Sequence, residues 1–318
     1  MESSNRSSLI VICGATATGK TALSIALSQR FDGEVINADS RYFYRGMDIG
    51  VAKPTMAERN GVPHHLIDIL DLDDPEGMTL AVYQELALGA IDDVLDRGKT
   101  PFLTGGTPLY INAVVENWRI PRVAPDPAFR AQLEEEIDRH GLDLVVERLR
   151  SIDPVAAERS AQNPRRVIRA LEIYAATGKP MSELEGKDPP RYRALELGLS
   201  MSRERLYRVI DNRVDEQMAQ GLEHEVRALL ESGVPRSNPA FSALGYRQLF
   251  PVIDDEMPLE EAVQTIKHDT HRYVRHQETW LRKNPRIVWL NVTQDGWERE
   301  AVEAIEAFLS GESAGTLF

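Results

Sequence analysis

Residues Gly14-Ala15-Thr16-Ala17-Thr18-Gly19-Lys20-Thr21 match the pattern G-x-x-x-x-G-K-[ST]. The chemistry such a run supports is anion binding. Its glycines let backbone N–H groups wrap a phosphate, a following helix N-terminus adds positive potential, Lys20 balances phosphate charge, and the Thr21 hydroxyl is a candidate Mg²⁺ ligand. An apolar run, Leu9–Cys13, precedes the loop, and a regular apolar segment, Thr21–Leu27, follows it. That is the strand–loop–helix context the motif requires. Taken alone, the loop implies a diphosphate or triphosphate site and leaves the compound open.

Three further residues have types suited to the same crevice. Asp39 ends a second apolar run, Glu34–Ala38. Ligands of parallel α/β sheets sit at the carboxyl ends of the strands, so Asp39 is expected to face the phosphate loop. Holding Mg²⁺ through water, capping a helix or turn, and acting as a general base all remain open to it. A third run ends in Thr104-Gly105-Gly106-Thr107, where glycines permit close backbone approach and the Thr107 hydroxyl suits a phosphate or leaving oxygen. In isolation that tetrad reads as an ordinary turn. Arg213 falls on the apolar stripe Leu206, Val209, Ile210 and Val214 of a helix starting at Arg203. A charge on such a stripe either snorkels to the rim or meets a buried anion.

The elements that must position these residues are five strand-like runs: Leu9–Cys13, Glu34–Ala38, Pro101–Thr104, Tyr192–Leu199 and Arg286–Asn291. Helical patterns separate them, which predicts a mainly parallel sheet in an α/β core of P-loop NTPase type. Between about Trp118 and Pro190 only helix signals occur. One helix opens at Asp126-Pro127, carries Phe129, Leu133 and Ile137 on one stripe, and stops at His140-Gly141. Another runs from Asn163-Pro164 to Thr177-Gly178. Residues 118–190 therefore read as a helical insertion domain, with 1–117 and 191–318 as the catalytic core. After Leu199 the chain is expected to be largely helical and to end in a strand that rejoins the sheet.

The net charge of −13 argues against a polyanionic partner only if the basic residues are spread out. They are gathered. On the Asn163 helix, Arg165, Arg166 and Arg169 lie opposite Val167, Ile168, Leu171 and Tyr174. On a helix read over Ile266–Lys283, His271, Arg272, Arg275 and Arg282 lie away from an apolar face of Ile266, Tyr273, Val274, Trp280 and Leu281. Gln277 falls within that apolar face, as a satisfied core amide or as a reader of a base. The adjacent His64 and His65 have no third ligand at matching spacing, so they read as positioning a substrate-side loop rather than as a metal site. The single cysteine, Cys13, lies within the first strand and reads as core. No run approaches the length of a membrane span, and no secretory pattern precedes the loop, so a cytoplasmic protein is expected.

Together these motifs resemble the bacterial tRNA dimethylallyltransferases (tRNA isopentenyltransferases) over nearly the whole chain. The resemblance rests on Gly14–Thr21, Asn37–Ser40, Tyr44–Gly50 with Ala52-Lys53-Pro54, Pro63–Asp68, Gly105–Tyr110, Arg166 with Arg169–Glu172, Gly245–Gln248, and Gln277 with Thr279-Trp280. It implies that the loop holds dimethylallyl diphosphate with Mg²⁺. The acceptor would be N6 of a flipped-out adenosine at tRNA position 37, immediately 3′ of the anticodon. Asp39 would be the general base on N6, with Thr107 and Arg213 at the reacting and pyrophosphate groups. Asp39, Ser40, Arg41, Tyr42, Thr107, Arg130, Arg165, Arg166, Arg169, Gly245, Tyr246 and Arg247 would touch tRNA, and a monomer is implied. The chain departs from the pattern at Ala15 and Thr18, where Pro and Ser are usual. It also has Arg41-Tyr42-Phe43 where Met-Gln-Val or Arg-Gln-Val is common, and His271 and His276 where Arg often stands. A small-molecule P-loop kinase is the rival reading, but it leaves the basic helices unexplained.

Overall fold

The computed structural model of the protein describes residues 6–74 and 77–311. The first stretch of chain forms β1 (Ser8–Gly14), α1 (Lys20–Arg30), β2 (Gly33–Asn37), β3 (His64–His65), α2 (Leu80–Asp96), β4 (Thr100–Gly105) and α3 (Pro108–Val115). A middle stretch forms β5 (Trp118–Arg119), α4 (Pro127–His140), α5 (Leu142–Ile152), α6 (Pro154–Ser160), α7 (Pro164–Thr177), α8 (Met181–Leu184) and β6 (Gly186–Lys187). The remainder forms β7 (Arg193–Ser200), α9 (Arg203–Gln220), α10 (Leu222–Glu231), α11 (Phe250–Ile253), α12 (Leu259–Leu281), β8 (Ile287–Asn291) and α13 (Trp297–Ser310).

Six strands make one sheet in the order β3-β2-β4-β1-β7-β8, and every neighbouring pair is parallel. A parallel sheet is covered on both faces, which is why β1 reads as an unbroken apolar run. Leu9 to Cys13 are fully buried. Burial, with Glu196 nearby, pushes the Cys13 thiol up to about 12, so it is an inert core residue. On one face β1, β4, β7 and β8 pack with α1 and α13 through Ile10, Ile12, Leu23, Leu27, Phe102, Leu197, Leu290 and Ile305. A separate core joins α9, α10 and α12 through Ile210, Val214, Leu222, Phe241, Tyr246, Ile266 and Val274.

The chain divides into two compact units. One comprises the residues up to Met78, Tyr83–Val115 and those from Arg191 onward; the other comprises Thr79–Val82 and Glu116–Pro190. The second unit is helical, as its sequence signals indicate. Asp126 and Asn163 accept from the N–H groups of Phe129 and Arg166 and so cap α4 and α7, each followed by Pro at the first helical position. Leu133, Val145, Leu149, Val167 and Leu171 form its core. It is not free of strands, however, since β5 and β6 pair antiparallel. Two-residue ladders carry too little alternation to be read from sequence.

Three other expectations need correction. The sheet has a sixth strand, β3, made by the two histidines that were read as loop. The last strand is followed by α13. And α12 begins at Leu259, with its buried row at Ala262, Ile266, Thr270, Val274, Gln277 and Leu281. Tyr273 and Trp280, expected on the apolar face, flank that row and are 41% and 45% exposed.

The second unit contains a buried carboxylate with two arginines. Glu172 accepts from Arg130 Nε (2.7 Å) and Nη2 (2.8 Å) and from the Asp126 N–H (2.7 Å), and it also pairs with Arg169. Burial disfavours the charge, but these donors outweigh it and hold the Glu172 carboxyl down at about 2. Because the folded value lies below the unfolded one, the stabilisation is complete above the ordinary carboxylate range and is lost as pH falls toward 2. Glu172→Gln is expected to destabilise the protein by roughly 3–5 kcal/mol near pH 7. Thermal or denaturant melts of the two proteins should converge as pH drops below about 4.

Candidate active site

At the carboxyl end of β1 the chain turns through the phosphate loop. Gly19 sits there in the left-handed region (φ 91°), where it precedes α1 and offers no side-chain cap. The first turn of α1 has no acidic residue either, so its N–H groups remain available to an external anion. The loop supports itself from within. Thr18 Oγ1 and Lys20 Nζ both donate to the Ala15 carbonyl at 2.8 Å.

Gln277 of α12 fastens the loop to the neighbouring strand end. Its Oε1 accepts from the Thr16 N–H (2.9 Å) and its Nε2 donates to the Gly106 carbonyl (2.7 Å). Both ends of the amide are therefore satisfied within the protein. Of the two roles left open by the sequence, this is the structural one. The approach is close: a Cβ on Gly106 would lie 2.7 Å from Gln277 Nε2, and one on Gly105 would lie 2.2 Å from the Ala38 carbonyl. Glycine is required at position 105, where the neighbour is backbone, while a side chain at position 106 would displace the Gln277 amide.

Asp39 follows β2. Its N–H donates to Asn37 Oδ1 (2.8 Å), and its Oδ1 accepts from the Arg41 N–H (3.0 Å). No helix starts here, so the carboxylate closes a tight turn rather than capping a helix. Thr107 lies across from this turn. Its N–H donates to the Ala38 carbonyl, its hydroxyl accepts from the Ser40 N–H (3.2 Å), and its carbonyl accepts the first bonds of α3.

A cavity of about 830 Å³ opens over the loop within the first unit. Thr16, Ala17, Gly19, Lys20, Thr21, Asp39, Arg41, Tyr42 and Arg213 all line it. Lys20 is the most perturbed of its charges: burial, helped by the Arg213 guanidinium, lowers its ammonium to about 8, against opposing pulls from Asp39 and Cys13. Arg213 thus resolves as a residue of the cavity wall on a helix whose buried row is Leu206, Ile210, Val214 and Gln217. Thr21 and Asp39 supply hard oxygen donors to the same space, the donor type Mg²⁺ takes alongside phosphate oxygens and water. Among the described residues no cluster of three His, Cys, Asp or Glu side chains could hold a metal.

The two histidines part company, as successive strand residues must. His64 borders the cavity and its Nδ1–H donates to the Val62 carbonyl (2.8 Å), whereas His65 Nε2 meets the buried Glu34 at 2.6 Å. The expected tRNA contacts also separate. Arg165, Arg166 and Arg247 are exposed, while Arg130 and Arg169 are held on Glu172. Gly245 and Tyr246 are buried, and the Tyr246 hydroxyl donates to Glu225 Oε1 (2.6 Å). Tyr246 therefore has no side-chain surface to offer a macromolecule, a correction to its expected role.

Sequence reasoning missed Glu225. It accepts from the N–H groups of Asp48, Ile49 and Gly50 and so fixes one wall of the cavity. It also missed Lys53, whose buried ammonium joins Asp48, Asp68 and the Tyr44 carbonyl. Its place before Pro54, in an otherwise apolar stretch, was the available signal.

Residues 42–284 match the family model described as IPP transferase, and residues 7–75 match one described as isopentenyl transferase. The chain belongs to the IPP transferase family. Its curated relatives include a tRNA dimethylallyltransferase of Thermomicrobium roseum, 52% identical across 97% of this chain and 93% of that one. Another, from a Roseiflexus species, is 47% identical over 95% and 98%. Among solved structures, the tRNA isopentenylpyrophosphate transferase of Bacillus halodurans superposes with a TM-score of 0.70 at 38% identity, covering 96% and 97% of the two chains. A eukaryotic dimethylallyltransferase solved acting on tRNA gives 0.81 at 27% identity, covering 96% of this chain and 80% of that chain. The fold is that of the family, a P-loop NTPase-like core.

The lowered Lys20 ammonium sets a pH dependence for anion binding. Only the protonated form attracts phosphate, so affinity for inorganic pyrophosphate should be level below pH 8 and weaken above it, approaching tenfold by about pH 9. Calorimetric titrations across pH 6.5–9.5 test this. A flat profile would mean that Lys20 stays charged throughout.

Proposed function

We propose that the protein transfers the dimethylallyl group of dimethylallyl diphosphate to N6 of the adenosine immediately 3′ of the anticodon in tRNA, releasing pyrophosphate. One observation carries the chemistry: a carboxylate, Asp39, shares a cavity with an uncapped helix start, Lys20 and Arg213. The curated relatives, similar along nearly their full length, carry the tRNA and prenyl assignment. A kinase would use the same loop, but those relatives speak for prenyl transfer.

In this reading the diphosphate lies on the loop N–H groups with Lys20 and Arg213 against its oxygens. The N6 nitrogen attacks the first carbon of the prenyl chain, the carbon–oxygen bond breaks, and the electron pair leaves with pyrophosphate. An exocyclic amine conjugated to a purine is a weak nucleophile, so removing its proton as the bond forms lowers the barrier. Asp39, held by the Arg41 N–H through one oxygen, is the group for that proton. Thr107, whose hydroxyl meets the Ser40 N–H from across that turn, is the residue assigned to steady the reacting groups. Bound Mg²⁺, held by the Thr21 hydroxyl, would neutralise charge that develops on the diphosphate. Flipping the base costs a few kcal/mol, least in a single-stranded loop. Arg165, Arg166 and Arg247 are the exposed cations assigned to the tRNA backbone. A cytoplasmic monomer is the setting this activity implies; among the described residues no helix is long and apolar enough to cross a membrane.

The test is incorporation of labelled dimethylallyl diphosphate into unmodified tRNA with Mg²⁺, run beside a tube containing labelled ATP. Label is expected in tRNA; γ-phosphate transfer without prenyl incorporation would overturn the assignment. Asp39→Asn keeps the turn acceptor and removes the base. It should lower turnover by on the order of a hundredfold or more while pyrophosphate binding changes little. Near-normal turnover would leave Asp39 with the turn alone.

A further inference from the structure

Gln217 closes the buried row of α9, after Leu206, Ile210 and Val214, and has no part in the mechanism above. An amide in such a row is costly unless its protons are used. Both are used on one stretch of backbone: Nε2 donates to the carbonyls of Ile49 (2.7 Å) and Gly50 (2.8 Å). Glu225 of α10 holds the same stretch by its donors, the N–H groups of Asp48 (2.9 Å), Ile49 (2.7 Å) and Gly50 (3.1 Å). The Tyr246 hydroxyl braces Glu225 in turn. Farther along, the Tyr42 hydroxyl donates to the Ala52 carbonyl at 2.9 Å. The stretch cannot retreat, since a Cβ on Gly50 would lie 2.5 Å from the Tyr246 ring and 2.8 Å from the Leu222 side chain.

The backbone so fixed carries an apolar wall. Ile49 and Val51 pack on the core that contains Ile210 and Val214, as does Ala17 of the phosphate loop. All five line the cavity. Ile210 and Val214 flank Arg213 on α9, and Gln217 follows it by one turn, about 6 Å along the axis. The apolar wall and the guanidinium therefore belong to one helix face. A ligand with phosphate oxygens against Arg213 and a hydrocarbon leading from them has this wall as its natural neighbour. Side chains alone can yield to a longer hydrocarbon by changing rotamer. Backbone tied through both its carbonyls and its N–H groups cannot, so the wall limits what fits.

We propose that Gln217 is a positioning residue that sets the length of the donor chain. By tying the 49–50 backbone to the helix that carries Arg213, it holds the apolar wall where a dimethylallyl group fits and a longer prenyl chain does not. The inference rests on the prenyl diphosphate reading of the cavity and deepens it, because that reading leaves the donor's length unexplained.

A comparison of donors tests it. Dimethylallyl and geranyl diphosphates are compared by kcat/KM on unmodified tRNA, for wild type, Gln217→Met and Val51→Ala. Inorganic pyrophosphate, followed by calorimetry, serves as the probe without a chain. Met keeps the volume of Gln217 and removes its donors, while Val51→Ala cuts back the wall and leaves the clamp in place. Each variant should reduce the preference for dimethylallyl over geranyl diphosphate by roughly tenfold. Pyrophosphate affinity should stay within about twofold of wild type in both. Should Gln217→Met not fold, Gln217→Asn, which draws the amide back by one methylene, is read in the same way. A preference that either variant leaves unchanged overturns the proposal, as does a wild type without preference. So does a Gln217 variant in which both donors and pyrophosphate weaken alike, the behaviour of a residue that only holds the fold. A wild type that binds pyrophosphate but transfers from neither donor would instead bring down the prenyl-transfer reading, and the role of Gln217 with it.

Discussion

The site depends on a helix start that carries no side-chain cap. Buried donors normally find a partner inside the protein, and an uncapped helix start is costly unless something outside completes it. In the proposed reading the diphosphate completes it. Gly19 gives α1 no cap, its first turn carries no acid, and the loop's own side chains donate to the Ala15 carbonyl instead of competing for the N–H groups. The surrounding architecture protects this arrangement. Gln277 ties the loop to the Gly105-Gly106 turn, and Glu225 gathers three N–H groups of the facing loop so that they do not fold across the opening.

Charge is handled in the same way. The cavity collects Lys20 and Arg213 in a chain whose net charge is −13. Burial is the main cause of the lowered Lys20 ammonium, and repulsion from the Arg213 guanidinium adds to it against the pull of Asp39. A diphosphate would relieve that repulsion on binding and a neutral ligand would not, which makes the site selective before any shape is considered. The other buried ionic groups of the protein are closed on themselves, as with Glu172 between two arginines and Lys53 between two aspartates. Those are structural, whereas Lys20 and Arg213 line the cavity.

Much of this was legible from residues alone because it is local. The phosphate loop, the caps at Asp126 and Asn163, and the buried strand around Cys13 each lie within a dozen consecutive positions, where spacing determines geometry. What escaped was set by distant parts of the chain. Gln277 meets Thr16 and Gly106, and Glu225 meets Asp48. No periodicity announces such partners. Helical angle placed Arg213 near the core correctly but could not separate a snorkelling side chain from a cavity wall. The same method put Tyr273 and Trp280 on the apolar face with the buried residues, because angle says nothing about how far a large ring reaches past a crowded row. Strand β3 escaped for lack of length, and the burial of Tyr246 because a motif shared with a family does not say whether it touches substrate or holds the fold.

The strand order also governs how the chain can assemble. β1 pairs along one side with β4 and along the other with β7, so that Ser8 is matched with Arg193. During synthesis the central strand, which carries the phosphate loop, emerges first. It must stay unpaired on its β7 side until the whole helical segment between Glu116 and Pro190 has been made. That segment closes short loops and can collapse at once, while the sheet has to wait for long-range closure, the slower process. The most apolar strand of the protein is thus also the one exposed longest on the ribosome, an aggregation hazard that follows directly from placing the substrate crevice at the middle of the sheet.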